Sequence, residues 1–291
     1  MIYLPEGLPA VQTLRSEGLP VDTYPISTLE APHADHRILL LNLMPQKEVT
    51  ELDFARTLAA LPERLQLIPV KLSGQTYKTT PMEHMQRFYR DVEALSDQHF
   101  DRLIVTGAPL EQMPFEEVRY WNQLTRVMDW ARRTIDRTLY VCWGAQAALY
   151  HFYGIGKHAL PAKCFGIFAQ RVMPSAPKHL LDGLSPEFLM PNSRHTEVWR
   201  SEVDERMHGH GGVVAESPES GVGMAAENDL RSVFVVGHLE YEPLTLDKEY
   251  RRDVSKGLPI QPPCHYYDEK SRVPHIWRKD ALRFYYNWVC K

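Results

Sequence analysis

The chain has 291 residues, 44% of them hydrophobic, and a formal net charge of −4. That is enough apolar content for a sizeable core, arranged as one large domain or two small ones. The small charge and the lack of a long basic run argue against a nucleic-acid partner, and no apolar stretch approaches the roughly 20 residues that span a bilayer.

The opening run Met1 to Gly7 has neither a basic n-region nor an apolar h-region, so no signal peptide is expected. The four cysteines, Cys142, Cys164, Cys264 and Cys290, form no C-x-x-C pair and no disulfide framework, which fits a reducing cytoplasm. The thirteen histidines match no common zinc spacing; His208 and His210 flank Gly209 in a polar stretch and read as a solvated loop. No metal and no cofactor is expected.

Along the chain, Arg37 to Met44 is a nearly continuous apolar run, the pattern of a strand buried on both faces of a parallel sheet. Pro45-Gln46-Lys47 breaks it, and Thr50-Glu51-Leu52-Asp53 predicts a helix start, with the helix ending near Pro62. Leu65 to Leu72 is a second strand candidate, Met82 to Val92 is helical in flavour, and Arg102 to Gly107 is a third strand closed by Gly107-Ala108-Pro109. From Glu116 to Arg133, apolar residues recur at three- and four-residue spacing and predict an amphipathic helix. Thr138 to Val141 then predicts a strand, and Trp143 to Leu149 a helix. Gly154 to Asp229 is less regular and reads as the return half of the domain, with loops that shape a pocket. The proline-rich tail from Gly257 to Lys291 ends in an aromatic helix that packs on the body or on a second subunit. Alternating strands and helices imply βαβ units, a mostly parallel sheet and helices on both faces, an α/β fold with its sites at the carboxyl ends of strands.

Three residues at such strand ends carry chemistry. Cys142 lies at the strand-to-helix seam, where the first free N–H groups and the helix dipole favour a thiolate and can hold an oxyanion. A buried structural thiol fits Cys142 taken alone about as well. His238 ends the run Ser232 to Gly237, and Glu240 follows two residues later, on the same side if the strand continues that far. Thiol, imidazole and carboxylate together point to covalent acyl transfer.

Leu41-Asn42-Leu43-Met44-Pro45, Lys47 with Thr50-Glu51, Val105-Thr106-Gly107-Ala108-Pro109, Tyr120-Trp121, Val141 to Ala147, Ser193-Arg194 and Gly237-His238-x-Glu240-Tyr241 together resemble the homoserine O-acyltransferases of the MetA type. The likeness runs from Leu8-Pro9-Ala10-Val11 to the C-terminal helix. It implies a flavodoxin-like fold related to class I glutamine amidotransferases, a homodimer, and ping-pong acyl transfer from an acyl-CoA co-substrate to an amino-acid hydroxyl. It implies Cys142 as nucleophile, His238 as general base, Glu240 as its partner and the Trp143 N–H as an oxyanion donor. The resemblance also maps amino-acid contacts onto Lys163, Ser193 and Arg252. In the family, the residue after Gly-Ala-Pro-Leu separates acetyl users, with Glu, from succinyl users, with Gly; here it is Glu111, which implies acetyl-CoA. A carboxylate on the pocket wall fills space and repels the free carboxylate of a succinyl group.

The sequence departs from the family at Asn192 and His195 (usually His and Tyr), at Leu239 (usually Pro) and at Gln46 (usually Lys). The resemblance implies that the changes at 192, 195 and 239 flank the acceptor pocket. L-Serine is one methylene shorter than homoserine, a difference worth about 1–3 kcal/mol. The expectation is therefore a cytoplasmic O-acetyltransferase of methionine biosynthesis acting on L-homoserine, with L-serine and cysteine biosynthesis as the alternative. A glutamine amidotransferase subunit, or a binding protein that has lost catalysis, are more distant readings. One α/β domain over 1–291 is expected, with an N-terminal arm over about 1–35 and a C-terminal extension over about 257–291.

Overall fold

The computed structural model describes residues 1–268 and 277–291. The apolar run of the sequence becomes strand β3 (His36–Leu41, after β1, Ile2–Pro5, α1, Pro9–Ser16, and β2, Val21–Tyr24). Its successive side chains point to opposite faces. Ile38 and Leu40 enter one apolar core, Leu39 and Leu41 the other, and all four are fully buried.

The chain continues through α2 (Lys47–Ala59), β4 (Leu65–Lys71), α3 (Met82–Phe88), β5 (Arg90–Asp91) and β6 (Arg102–Val105). Next come α4 (Trp121–Thr134), β7 (Arg137–Val141) and α5 (Trp143–Tyr153). The following stretch holds β8 (His158–Val172), α6 (Lys178–Leu181), β9 (Glu187–Glu197), α7 (Arg200–Arg206), β10 (Gly211–Ser217), β11 (Gly221–Glu227) and β12 (Ser232–Val235). The described chain closes with α8 (Thr245–Ser255) and α9 (Arg278–Cys290). The strands join one sheet in the order β2-β1-β4-β3-β6-β7-β12-β11-β10-β8-β9, with β5 attached beside β4. Pairings from β2 across to β12 are parallel, and those from β12 to β9 are antiparallel.

Helices cover both faces. Val11 and Leu14 of α1, Phe54 and Leu58 of α2, and Tyr285 and Trp288 of α9 fill one core; Leu124 and Met128 of α4, Ala148 and Leu149 of α5, and Val203 of α7 fill the other. The aromatic C-terminal helix therefore packs on the body of its own chain, with the Tyr285 ring edge-on to Phe54. No helix among the described residues is long and apolar enough to cross a membrane.

Several boundaries differ from the sequence expectation. Helix α2 starts at Lys47 and not at Thr50, because the Thr50 hydroxyl bonds back to the Gln46 carbonyl inside the first turn and does not cap it. Helix α3 stops at Phe88 because Tyr89 turns extended, placing its hydroxyl in a buried cluster with Asn42 and Glu51. Helix α4 begins at Trp121, after a separate 3₁₀ turn at Phe115–Glu117.

The largest difference is the stretch 154–229. It is built mainly of four antiparallel strands, whose alternation is hidden in the sequence by a register shift between Ala159 and Cys164 and by polar residues in the core. Arg194 is one of them, buried to 1% exposure with its guanidinium on Thr196 O and Ser220 O. His208 and His210 are solvent-exposed, as expected.

Candidate active site

Strand β7 ends at Val141 and helix α5 starts at Trp143, so Cys142 forms the whole turn between them. Its backbone sits at φ 53°, ψ −119°, a conformation rare for a residue with a Cβ. Such a sharp elbow lifts a nucleophile above the sheet. The elbow is held by close packing. A Cβ on Gly144 would come within 2.7 Å of the Thr106 carbonyl, so only glycine lets α5 start this near β6. A Cβ on Gly107 would lie 3.2 Å from the Cys142 Cβ and 3.7 Å from the Trp143 nitrogen, so glycine keeps space open beside the thiol.

Strand β12 pairs in parallel with β7, Val235 opposite Val141, which delivers His238 to the same strand ends. It stops at Val235, so strand alternation is not what unites His238 and Glu240. The turn after it does so, tied down by the His238 N–H donating to the Pro191 carbonyl at 2.9 Å. The imidazole reaches Glu240 Oε1 through Nδ1 at 2.6 Å, and Cys142 lies near enough for its charge to act on the ring. The Tyr241 ring stacks on it with centroids 4.1 Å apart. All three members of the Cys142–His238–Glu240 chain are buried. Burial alone would lower the His238 pKa. The charges on Glu240 and Cys142 outweigh it and raise the ring well above the ordinary imidazole value.

In front of the thiol opens a cavity of about 270 Å³. Glu111, Lys163, Ser193, His238 and Arg252 line it together with Cys142, so sequence positions more than 100 apart meet in one cleft. Trp143 is fully buried beneath it, its backbone in the first turn of α5. Lys163 comes from β8 and Ser193 from β9, brought side by side by the Phe165–Ser193 pairing. Glu111 follows the Gly107–Pro109 turn. Burial pushes its carboxyl pKa up, opposed by the nearby His195, His238 and Lys163. Lys157 fastens this loop by donating to the carbonyls of Leu110, at 3.2 Å, and Met113. Burial brings the Lys157 pKa down to about 8.

The sequence reading missed the acidic side of the pocket. Glu249, Arg252 and Asp253 lie on one face of α8, at the three- and four-residue spacing of neighbours on a helix. Glu249 accepts from the hydroxyls of Ser193, at 2.5 Å, and Tyr241, at 2.9 Å. Lys163 lies 3.6 Å from Glu249 and 3.5 Å from Asp253. Arg252 donates to Asp253 at 2.7 Å. Burial would raise the Asp253 pKa, but Arg252 and Lys163 bring it below its usual value. The signal was present as Glu249-x-x-Arg252-Asp253.

The sheet order, the elbow and the strand-end histidine define an architecture of the class I glutamine amidotransferase type. A glutamine amidotransferase from Thermotoga maritima superposes with a TM-score of 0.56 at 10% identity, covering 90% of this chain and all of that one. A glutamine amidotransferase from Methylobacillus flagellatus gives 0.56 at 13% identity, covering 89% of this chain and 95% of that one. At these identities the likeness concerns the fold alone.

Sequence similarity is more specific. The family described as homoserine O-succinyltransferase matches residues 1–290. A homoserine O-acetyltransferase of Phocaeicola vulgatus is 43% identical over 99% of this chain and 94% of its own length. One from Bacteroides fragilis is 44% identical and one from Brevibacillus brevis 42% identical, each with the same coverage. The chain belongs to the homoserine O-succinyltransferase family and is an acyltransferase.

Proposed function

We propose that the chain is an O-acetyltransferase that moves acetyl from acetyl-CoA to the side-chain hydroxyl of L-homoserine, in methionine biosynthesis, through an acetyl thioester on Cys142. The observation that carries this reading is the buried chain Cys142–His238–Glu240 opening on a cleft with both cationic and anionic anchors. The names of the three relatives given above, each a homoserine O-acetyltransferase, support the donor and the acceptor.

In the first half-reaction the Cys142 thiolate, paired with protonated His238, attacks the acetyl carbon of the donor. The carbonyl oxygen becomes an oxyanion beside the Trp143 N–H, which lies in the first turn of α5 where no earlier helical carbonyl competes for it. Glycine at 107 leaves that oxygen room. Collapse breaks the carbon–sulfur bond to coenzyme A, whose sulfur takes the proton from His238. One thioester has replaced another, so the exchange is nearly neutral in energy.

In the second half-reaction neutral His238 takes the proton of the acceptor hydroxyl as its oxygen attacks the acetyl carbon. Collapse releases the Cys142 thiolate, again opposite an imidazolium, and O-acetylhomoserine leaves. Glu240 holds the tautomer and orientation of His238 throughout. Arg252 and Lys163 supply cations for the acceptor carboxylate. Glu249, already accepting from Ser193 and Tyr241, supplies the anion for its ammonium. The test is a steady-state comparison of homoserine and serine with acetyl-CoA. A higher kcat/KM for homoserine is expected; a higher value for serine overturns the acceptor and leaves the chemistry intact.

Glu111 carries the donor choice. Its partly buried carboxyl stands on the wall of the cleft that also holds the thiol. A succinyl chain would press its own carboxylate into that wall. Glu111→Gly is therefore expected to raise kcat/KM for succinyl-CoA relative to acetyl-CoA by about 10- to 100-fold. An unchanged ratio would remove Glu111 from the donor pocket.

A further inference from the structure

The catalytic cleft is too small to hold an acyl-CoA, yet a second cavity of about 470 Å³ adjoins it. The two share Met44, Ala108 and Pro109 as a common wall. The thiol faces only the smaller one. Nothing in the mechanism above uses the larger one, although its volume lies within the range of small-molecule sites.

Its lining has two parts. The inner walls are mostly apolar and aromatic, from Leu72, Tyr77, Val118 and Tyr120, with the buried Asn42 amide and the buried Lys47 ammonium, 5.1 Å from the Tyr77 ring centroid, among them. The rim is cationic, with Lys71, Lys78 and Arg119 against the single carboxylate of Glu117. Lys71 is engaged with Asp91 at 2.9 Å, and Arg119 donates to Gln75 and Thr76, at 3.0 and 3.3 Å. Lys78 and Arg119 are both exposed at the mouth.

We propose that this second cavity binds the pantetheine arm and phosphates of the acyl-CoA donor, with the arm along Leu72, Tyr77 and Tyr120 and the phosphates at Lys78 and Arg119. The inference rests on the reading of the donor as an acyl-CoA. A pantetheine arm is a narrow chain of methylenes and two amides, which suits an apolar channel with a few polar atoms such as the Gln75 amide. The nucleotide end carries several phosphate charges, which suit a guanidinium and an ammonium at the solvent edge. The acyl end then crosses the Met44–Ala108–Pro109 wall toward Cys142. This path takes it past Glu111, two residues beyond Pro109, so the residue that reads the acyl group stands at the crossing.

The test compares acetyl-CoA with acetyl-N-acetylcysteamine, a short thioester without the nucleotide, in the wild type, in Lys78→Glu and in Lys78→Glu/Arg119→Glu. The ratio of kcat/KM for acetyl-CoA to that for the short donor is expected to fall roughly tenfold in the double variant, and by less in the single one. An unchanged ratio overturns the proposal, including the case in which both donors lose activity equally. Calorimetric titration with free coenzyme A separates the two levels of the argument. Wild type that binds coenzyme A while the double variant binds it equally well refutes this site alone. Wild type that binds no coenzyme A refutes the donor reading with it. Lys78→Glu guards against a loop disturbance, since Arg119 also ties Gln75 and Thr76.

Discussion

Cys142→Ala is expected to lower the acetyl transfer rate by about 10⁴- to 10⁶-fold, the range for loss of a nucleophile whose partners act as a unit with it. Incubation of the wild-type protein with acetyl-CoA and no acceptor should leave one acetyl group on Cys142, seen by intact mass and peptide mapping. The alanine variant should acquire none. The substitution removes only a sulfur from a residue that keeps its place in the elbow, and alanine tolerates that φ no worse than cysteine does. Fold loss is thus a poor explanation for inactivity, and circular dichroism checks it. A variant that still acetylates homoserine at more than a few per cent of the wild-type rate would mean direct transfer from the donor, and the covalent route would fall.

Glu240→Gln should lower kcat/KM by about 10²- to 10⁴-fold, the span for mis-set acid–base partners. Its pH signature is more diagnostic. In the wild type, burial works against the charged His238 ring, while Glu240 and Cys142 hold it charged. With glutamine at 240 the burial penalty is less opposed, so the ring loses its proton at lower pH and the thiolate loses its counter-ion. Alkylation of Cys142 by iodoacetamide should then require higher pH in the variant. The same shift has a stability side. The His238 pKa is raised on folding, so its contribution to stability is fully present below the ordinary imidazole value. It fades as pH rises through the higher folded value. Glu240→Gln removes part of that pH dependence. An alkylation profile identical to wild type would mean that Glu240 does not set the charge on His238.

How much of this was legible in the sequence depends on where the information lies. The parallel half was readable because β3, β4, β6 and β7 are short apolar runs buried on both faces, and amphipathic periodicity marks α4. The elbow at Cys142 was readable because a strand pattern passes to a helix pattern with no residues between. The antiparallel half was not readable. Arg194, Gln170 and Asn192 are buried there among partners that only the tertiary structure provides, so the strand pattern looks broken. Helix α8 was missed for a related reason. Leu246 and Asp253 are its buried residues, and its inward face is charged because it lines the cleft. Its acidic members, Glu249 and Asp253, were therefore missed as well. Lys163, Ser193 and Arg252 came from family resemblance, since a lone cation or hydroxyl carries no signature of its own.

The division of the sheet has an evolutionary consequence. On the proposed reading the bond-making residues Cys142 and His238 follow the parallel strands β7 and β12, while the acceptor contacts Lys163 and Ser193, with His195, sit on the antiparallel pair β8–β9 at the far edge of the sheet and Arg252 on a separate helix. Changes in which molecule receives the acyl group can therefore accumulate on one side without moving the sulfur on the other. The amide of His238 resting on the Pro191 carbonyl is one stitch between the two, beside the paired bonds of Gln146 and Thr196, and it uses backbone atoms, which drift in side-chain identity leaves untouched. Of the three departures expected to flank the pocket, only His195 lines the cleft; Asn192 and Leu239 are buried, Asn192 between the Met190 carbonyl and the Arg194 guanidinium, so a change of recipient is expected to act through position 195.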